Sequence, residues 1–441
     1  MLALVSFVGW IICRYSVRYL DGESNQGGYF QWAGFTIGSV SLMVISGNLM
    51  LFFIAWVMTS LGLHNLLLHY GNRSAAQRAA WTKFAISRLG DAALIVAISL
   101  IYFEFNTLNF ARLFELVGSV TEASLRMQLA SFFLVIGAIT KSAQFPFHTW
   151  LPLTMETPTP VSALMHAGIV NAGGYLMIRM SPLVGLTPSA LTLLVIVGAV
   201  TACFGAVVML TQPSVKKSLA YSTIAQMGFM MLQCGLGAFS AAMLHIVAHS
   251  LYKAHAFLSS GSVLSEAASS RTTPQIRKRI SLGGFCVSAM LSMLFLIAAF
   301  AIFKINPAEK PGGLLLGGIL CLGLTHWLGN VMSTTSLRIT FQAFALSFGM
   351  CAVYAAGFTG VDWFIGLSPV SGVIRSGTSS HGVLVAISSI IFLGFIVMFL
   401  LASNVEAGAR PRWLTRFYIH ASNGFYFENR IRRLFGFGAT H

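Results

Sequence analysis

The sequence predicts an all-α, polytopic membrane protein of about thirteen transmembrane helices, at least one of them broken. Three observations carry this prediction. Over 441 residues, 56% are hydrophobic and only 9% charged, with a mean hydropathy of +0.78, more apolar than a globular protein of this length requires. The apolar residues gather into runs of membrane-spanning length. The few charges inside those runs recur at helical spacing.

On a ruler of roughly 20 apolar residues per span, the segments fall near 1–20, 32–46, 48–70, 81–103, 128–155, 160–181, 187–211, 219–234, 238–265, 280–304, 312–333, 336–357 and 382–402. The first is apolar from Met1 to Cys13 without a basic n-region or a small-residue cleavage site, so it reads as a membrane helix rather than a signal peptide. The fifth holds Pro146 and Pro152, each of which removes a backbone donor, so this helix must break or kink. The chain therefore divides into a transmembrane domain over 1–405 and a basic, aromatic tail over 406–441.

Orientation follows from the basic residues, because cytoplasmic loops hold an excess of Lys and Arg. Alternate loops collect Arg14, Arg18, Arg73, Arg78, Lys83, Arg88, Lys216, Lys217, Arg271, Arg277, Lys278, Arg279 and Arg338, and the tail adds Arg410, Arg412, Arg416, Arg430, Arg432 and Arg433. The other side receives Arg112, Arg126, Arg179, Lys304, Lys310 and Arg375. Nineteen against six places the C-terminus in the cytoplasm. Of the 27 basic residues this leaves Lys141 and Lys253, both inside apolar segments.

The net charge of +15 suits a nucleic-acid binder only where basic residues share an aqueous face with few apolar runs, which is not the pattern here. The six cysteines stand singly, with no CxxC and no Cys/His cluster of zinc spacing, so no cofactor or metal is expected in this chain.

An ionised Lys at the centre of a membrane helix costs about 2.5–3.5 kcal/mol on insertion scales. Lys141 and Lys253 are thus either structural or snorkelling groups, or parts of an ion path. In HIVAHSLYKAHAFLSSGSV, His245, His249 and Lys253 recur every four residues and share one helix stripe, while His255 points elsewhere. Such a stripe is a chain of exchangeable groups suited to proton hopping through water. It is also the spacing of a metal pair, but no third ligand is near. Lys141 opens the broken stretch, with His148 beside the break and Glu156 just before Pro158 and Pro160. His148 and Glu156 read equally as interface anchors or relay members. His166 is central to the following segment. Lys216 and Lys217 begin a helix, as topology markers or functional groups. Asp91 lies three residues from Arg88, as an ion pair fixing a helix end or as a site of proton uptake.

The strings KSAQFPFHTWLPLTMETPTPVSALMHA, VKKSLAYSTIAQMGFMML and HIVAHSLYKAHAFLSSGSV resemble the antiporter-like proton-translocating subunits of respiratory complex I and of multisubunit sodium/proton antiporters. The resemblance covers roughly Arg14 to Val263. It implies that Lys141 is the central-channel lysine, His166 the histidine of the following helix, Lys217 the lysine linking half-channels, and His245, His249 and Lys253 the next hydrophilic series. Two features depart from that family: Val57 stands after Trp56 where a W-E-G glutamate is usual, and the late PPF-x-x-F-[FW]-S-K-type motif is absent.

A smaller branch fits better. The stretches RYSVRYLDGE, AWVMTSLGLHNLLLHY with His64, KFAISRLGDAAL and YIHASNGFYFENRI are similar to the DabB-type membrane subunits of inorganic-carbon accumulation complexes. That resemblance implies a hetero-complex with a DabA-type cytoplasmic partner holding zinc in a site like that of a β-carbonic anhydrase. This chain, itself no enzyme, would sit in the bacterial inner membrane and conduct protons or Na+ to energise CO2 or bicarbonate uptake. The alternative is a proton-pumping subunit of complex I or of a Na+/H+ antiporter.

Overall fold

A computed structural model describes residues 1–261, 282–306, 311–334, 337–366, 393–394 and 412–427. Within them the chain is helical throughout, without a named strand. In order the helices are α1 (Leu2–Tyr19), α2 (Gln26–Ile45), α3 (Leu49–Leu67), α4 (Ser74–Phe105), α5 (Phe110–Gly118), α6 (Leu125–Lys141), α7 (Trp150–Leu153), α8 (Thr159–Ala167), α9 (Ala172–Arg179), α10 (Ser181–Val184), α11 (Pro188–Thr211), α12 (Val215–Gly235) and α13 (Phe239–Leu258). After them come α14 (Leu282–Ile302), α15 (Pro311–Thr334), α16 (Leu337–Gly366) and α17 (Arg412–Ser422).

Seven helical stretches among the described residues are long and apolar enough to cross a membrane. Each expected segment before 382 has a helical counterpart, and the one near 382–402 lies almost wholly outside the described residues. The innermost stretch is Thr159–Arg179, 94% of it buried inside the protein. It is not one continuous helix: α8 stops at Gly168, a 3-10 turn covers Ile169–Asn171, and α9 follows.

Side-chain caps set several helix starts. Asn48 accepts from Met50 N ahead of α3, Asn109 from Ala111 N and Arg112 N ahead of α5, and Ser124 from Met127 N ahead of α6, satisfying donors that helix geometry leaves free. The contacts between loops show how the helices alternate. At one end Glu23 meets His69 and Tyr70, Tyr19 meets Thr159, Arg73 lies 3.9 Å from Glu156, and Gln212 donates to the Ser422 carbonyl. At the other end Tyr175 reaches the Val44 carbonyl, Arg179 the Ser46 carbonyl, and Arg126 lies 3.7 Å from Glu104. The first end also carries Arg14, Arg18, Arg78, Lys216 and Lys217 and is called the basic end below.

α11 and α12 lie in close contact because Gly198 faces Gly228, Gly205 faces Ala225 and Gly235 faces Val195, and a Cβ added at any of these glycines would collide with the neighbouring backbone. Small residues at such a seam let two membrane helices approach closely. This seam fixes α12, which bonds His166, His245 and Lys253.

One expectation needs correction. By its place at the start of the 81–103 segment Lys83 counts as a loop cation, but it is only 2% exposed. The reason is the helix start: α4 begins at Ser74, seven residues before the expected boundary, so Lys83 lies about 13 Å along the helix rather than in its first turn.

Candidate functional site

Two groups of buried polar residues occupy the core. The first surrounds Lys141, the last residue of α6, which is 5% exposed. The helix ends there because Ala143 takes a left-handed conformation, with φ 49°, two residues before the Phe145–Pro146 step. Lys141 Nζ donates to Thr59 Oγ1 at 2.8 Å, to Ser60 Oγ at 2.8 Å and to the Trp56 carbonyl at 3.1 Å. It also stands 4.5 Å from the centre of the Trp56 ring. These are neutral oxygens and a π face, so among the described residues the cation is solvated by the protein without a carboxylate in direct contact.

The carboxylate sits one layer further out. Trp56 donates its indole N–H to Asp91 Oδ1 at 3.0 Å, and the Arg88 guanidinium pairs with the other oxygen of Asp91. Arg88 and Asp91 thus form an ion pair, in the middle of α4 rather than at a helix end, and through Trp56 it belongs to the Lys141 surroundings. Val57 is half-buried beside this arrangement. His64 bonds to none of these groups, its Nδ1 lying 3.3 Å from the Ala80 carbonyl and its ring packed on Trp81 and Phe84, but it is within electrostatic reach of Lys83 and Arg88.

The second group lies between α8, α12 and α13. His166 is fully buried, with Nδ1 3.0 Å from Thr223 Oγ1 and its ring stacked 4.4 Å from Phe257. His245 Nδ1 is 3.0 Å from Gln233 Oε1, and the His245 and His249 rings lie 6.0 Å apart. Lys253, also fully buried, donates to the Leu219 carbonyl at 3.2 Å. His249 lies within electrostatic reach of His245, Lys253 and His166, and neither of its ring nitrogens has a hydrogen-bond partner among the described residues. The stripe read from the i+4 spacing is thus joined by His166 from another helix, and α12 supplies the oxygen partners Leu219, Thr223 and Gln233. His255 is exposed, off the stripe.

Neutral side chains connect the two groups. Ser142, next to Lys141, donates to the Val170 carbonyl at 2.7 Å, and Asn171 donates to Ser250 Oγ at 3.0 Å, one residue from His249. The break at Gly168 frees this backbone for such contacts. Gly173 permits the approach, because a Cβ there would collide with the Ala138 carbonyl and Ser142 Oγ.

The remaining candidates gather elsewhere. His148, Glu156 and Lys217 line a polar cavity of about 400 Å³ at the basic end, together with Arg78, Tyr221 and Ser422, Asn423, Gly424 and Tyr426 of the tail. His148 is 2% exposed and boxed by Phe145, Phe204 and Phe427, whereas Glu156 and Lys217 are exposed. Sequence reasoning did not find Lys83, Ser142, Asn171, Thr223, Gln233 or Ser250. Each earns attention only from its partner on another helix, apart from the Ala-rich SAAQRAAW stretch, whose helix propensity signals the longer α4.

An all-helical bundle with buried lysines and histidines, Lys141 and His166 beside helix breaks and His245, His249 and Lys253 on one continuous helix, has the features of an ion-translocating membrane class. The sequence profile of the NADH:quinone oxidoreductase/Mrp antiporter transmembrane family matches residues 46–308, and the chain belongs to that family. Among its relatives is the probable inorganic carbon transporter subunit DabB2 of Halothiobacillus neapolitanus, 38% identical over 437 residues, covering 98% of this chain and 77% of that protein. The probable inorganic carbon transporter subunit DabB of Hydrogenovibrio crunogenus is 43% identical over 263 residues, covering 59% of this chain and 51% of that one. NADH-quinone oxidoreductase subunit L of Escherichia coli is 33% identical over 434 residues, covering 93% and 70%. The solved Mrp complex from Dietzia sp. DQ12-45-1b shares the fold, with a TM-score of 0.62 at 23% identity over 98% of this chain and 50% of that one.

Proposed function

We propose that this chain is the ion-conducting membrane subunit of an inorganic carbon transporter. In this reading it passes protons, or Na+, toward the cytoplasm to drive CO2 or bicarbonate uptake by a DabA-type, zinc-holding cytoplasmic partner. The observation that carries the conducting role is the pair of buried lysine groups, Lys141 with its neutral cage and His166, His245, His249 and Lys253 with theirs, joined by Ser142, Asn171 and Ser250. Buried lysines and histidines exchange protons readily once a water reaches them, and the nitrogens of His249, without a hydrogen-bond partner among the described residues, leave room for that exchange. His148, Glu156 and Lys217, on the cavity at the basic end, form the cytoplasmic mouth, with Asp91 fixing Trp56 against Lys141. The carbon substrate rests on likeness to the DabB2 and DabB relatives, whose names state inorganic carbon transport.

A second reading, a subunit of a complex I-like or Mrp-like assembly, is favoured by the 33% identity to subunit L. Co-purification separates them, since only the first reading yields a zinc-containing soluble partner. The direct test is accumulation of labelled inorganic carbon by cells lacking carbonic anhydrase that express this chain with that partner. Accumulation that collapses with a protonophore or a sodium ionophore supports the reading, and accumulation indifferent to both overturns it.

A further inference from the structure

Lys83 is a buried cation that the path above does not use. Its Nζ donates to the Ser60 carbonyl at 2.7 Å, while Lys141 donates to the hydroxyl of the same serine at 2.8 Å. Two lysines from different helices are therefore anchored on one residue of α3. They share no hydrogen bond with each other, because one binds the carbonyl oxygen and the other the side-chain oxygen. The nearby carboxylate, Asp91, is already taken by Arg88 and the Trp56 indole. Arg88 and Asp91 together are neutral, so the two lysines have no counter-ion of their own among the described residues. At the usual family glutamate position this chain has Val57.

We propose that Lys83 is a positioning residue that opposes Lys141 electrostatically, so that the pair holds one proton's worth of charge between them. A proton taken up by the Lys83 amine drives the Lys141 ammonium to give its own proton to the water or hydroxyl that accepts it next. Loss of the proton from Lys83 lets Lys141 reload. The pair's total charge stays constant through the cycle, which two ammonium groups in a low-dielectric core require. A lysine beside a carboxylate tends to keep its proton. A lysine beside a lysine tends to release it.

Asp91 and Arg88 of α4 act on Lys141, the same two groups and Lys141 act on Lys83, and His64 of α3 lies within electrostatic reach of Lys83. On the other elements packed near Lys141, His64 of α3, His148 before α7, Tyr175 and Arg179 of α9 and Cys203 of α11 make no hydrogen bond to it. The inference rests on the proton-path reading, so its test carries a control for that reading.

Proton flux is measured as a function of pH in vesicles holding the full chain with its co-purifying partners, with the amount of folded protein checked for each variant. Removing the opposing cation favours protonated Lys141, so Lys83→Met should move the alkaline limb of the pH–rate profile upward by roughly one to two units. Lys83→Gln, which keeps a donor for the Ser60 carbonyl, should move it equally. Lys83→Arg keeps a fixed charge and should lose rate without any alkaline movement. An unmoved profile in Lys83→Gln overturns the proposal, whatever the rate and whether or not the Met variant folds. Lys141→Ala is the control. Its flux should vanish, and retained flux there overturns the path reading itself.

Discussion

Lys141 is gripped by three neutral oxygens and an indole face, and charge-assisted bonds of this kind contribute about 1.5–3 kcal/mol each. The grip orients the ammonium without a permanent counter-ion, which leaves the proton exchangeable. Lys141→Ala should therefore lower carbon uptake by about 100-fold or more while the protein still elutes as a folded species in detergent. Lys141→Arg should fail similarly, since guanidinium does not give up its proton. An active Arg variant would remove Lys141 from the relay. His249 offers a sharper distinction. Its nitrogens bond nothing among the described residues, so His249→Gln should fold normally and lose transport. His245→Ala with His249→Ala should then cost little more than His249→Ala alone, as for members of one unit. Wild-type uptake by His249→Gln would show that the ring only fills space.

At the scale of elements, the break at Gly168 and the close approach at Gly173 hold the bridge between the lysine groups. Gly173→Ala places a methyl against the Ala138 carbonyl and should cost about 1–3 kcal/mol of stability, read as a lower melting temperature in detergent. A second element contact is pH-sensitive. Hydrogen bonds from His69 and then Tyr70 hold the Glu23 carboxyl below the usual carboxylate range, while burial, with the Glu23 bond adding to it, pushes Tyr70 up to about 12. A lowered carboxyl stabilises the fold above its unfolded value, and that contribution disappears as pH falls through the lowered folded value. Glu23→Gln should thus lose less melting temperature on acidification than the native chain. An identical acid response in both would remove this contact from the account.

The His245, His249 and Lys253 stripe was readable because its spacing is local to one helix, and the proline break was readable because Pro146 and Pro152 act on their own backbone. The burial of Lys83 was not, since a lysine near a helix end looks the same whether it snorkels or turns inward, and only the helix start decides. Nor was Asn171 with Ser250 readable, 79 residues apart in sequence. Amphipathic α5 is too short for a hydropathy window. Partners chosen by packing leave no periodic trace in a single sequence.

At the scale of the whole molecule, Ser422 to Phe427 of the tail dock onto the ends of α11 and α12. Gln212 holds the Ser422 carbonyl, and Phe427 stacks edge-on against Phe145 at 4.8 Å. The preceding helix leaves Trp413, Phe417 and Tyr418 exposed, a surface of aromatics and arginines suited to a partner protein or an anionic lipid face. Truncation after Ala409 should release the partner in detergent while the membrane domain remains folded. Continued co-purification would leave the lipid face as its role. A reporter fused to the C-terminus should be reached from the cytoplasm, and a periplasmic signal would invert the assignment of the basic end.

The stretch between the two lysine groups, built of Ser142, the Val170 carbonyl, Asn171 and Ser250, contains nothing that titrates near neutral pH. An energised membrane stores about 2.3 kcal/mol per elementary charge for each 100 mV, and an unbroken row of titratable groups would let that store drain as heat. A section with no exchangeable proton of its own acts as a resistor within the path. Leakage is then set by how often water bridges those few ångströms, so a substitution there that admits one more water should discharge the membrane and slow growth even in cells with no carbon to import.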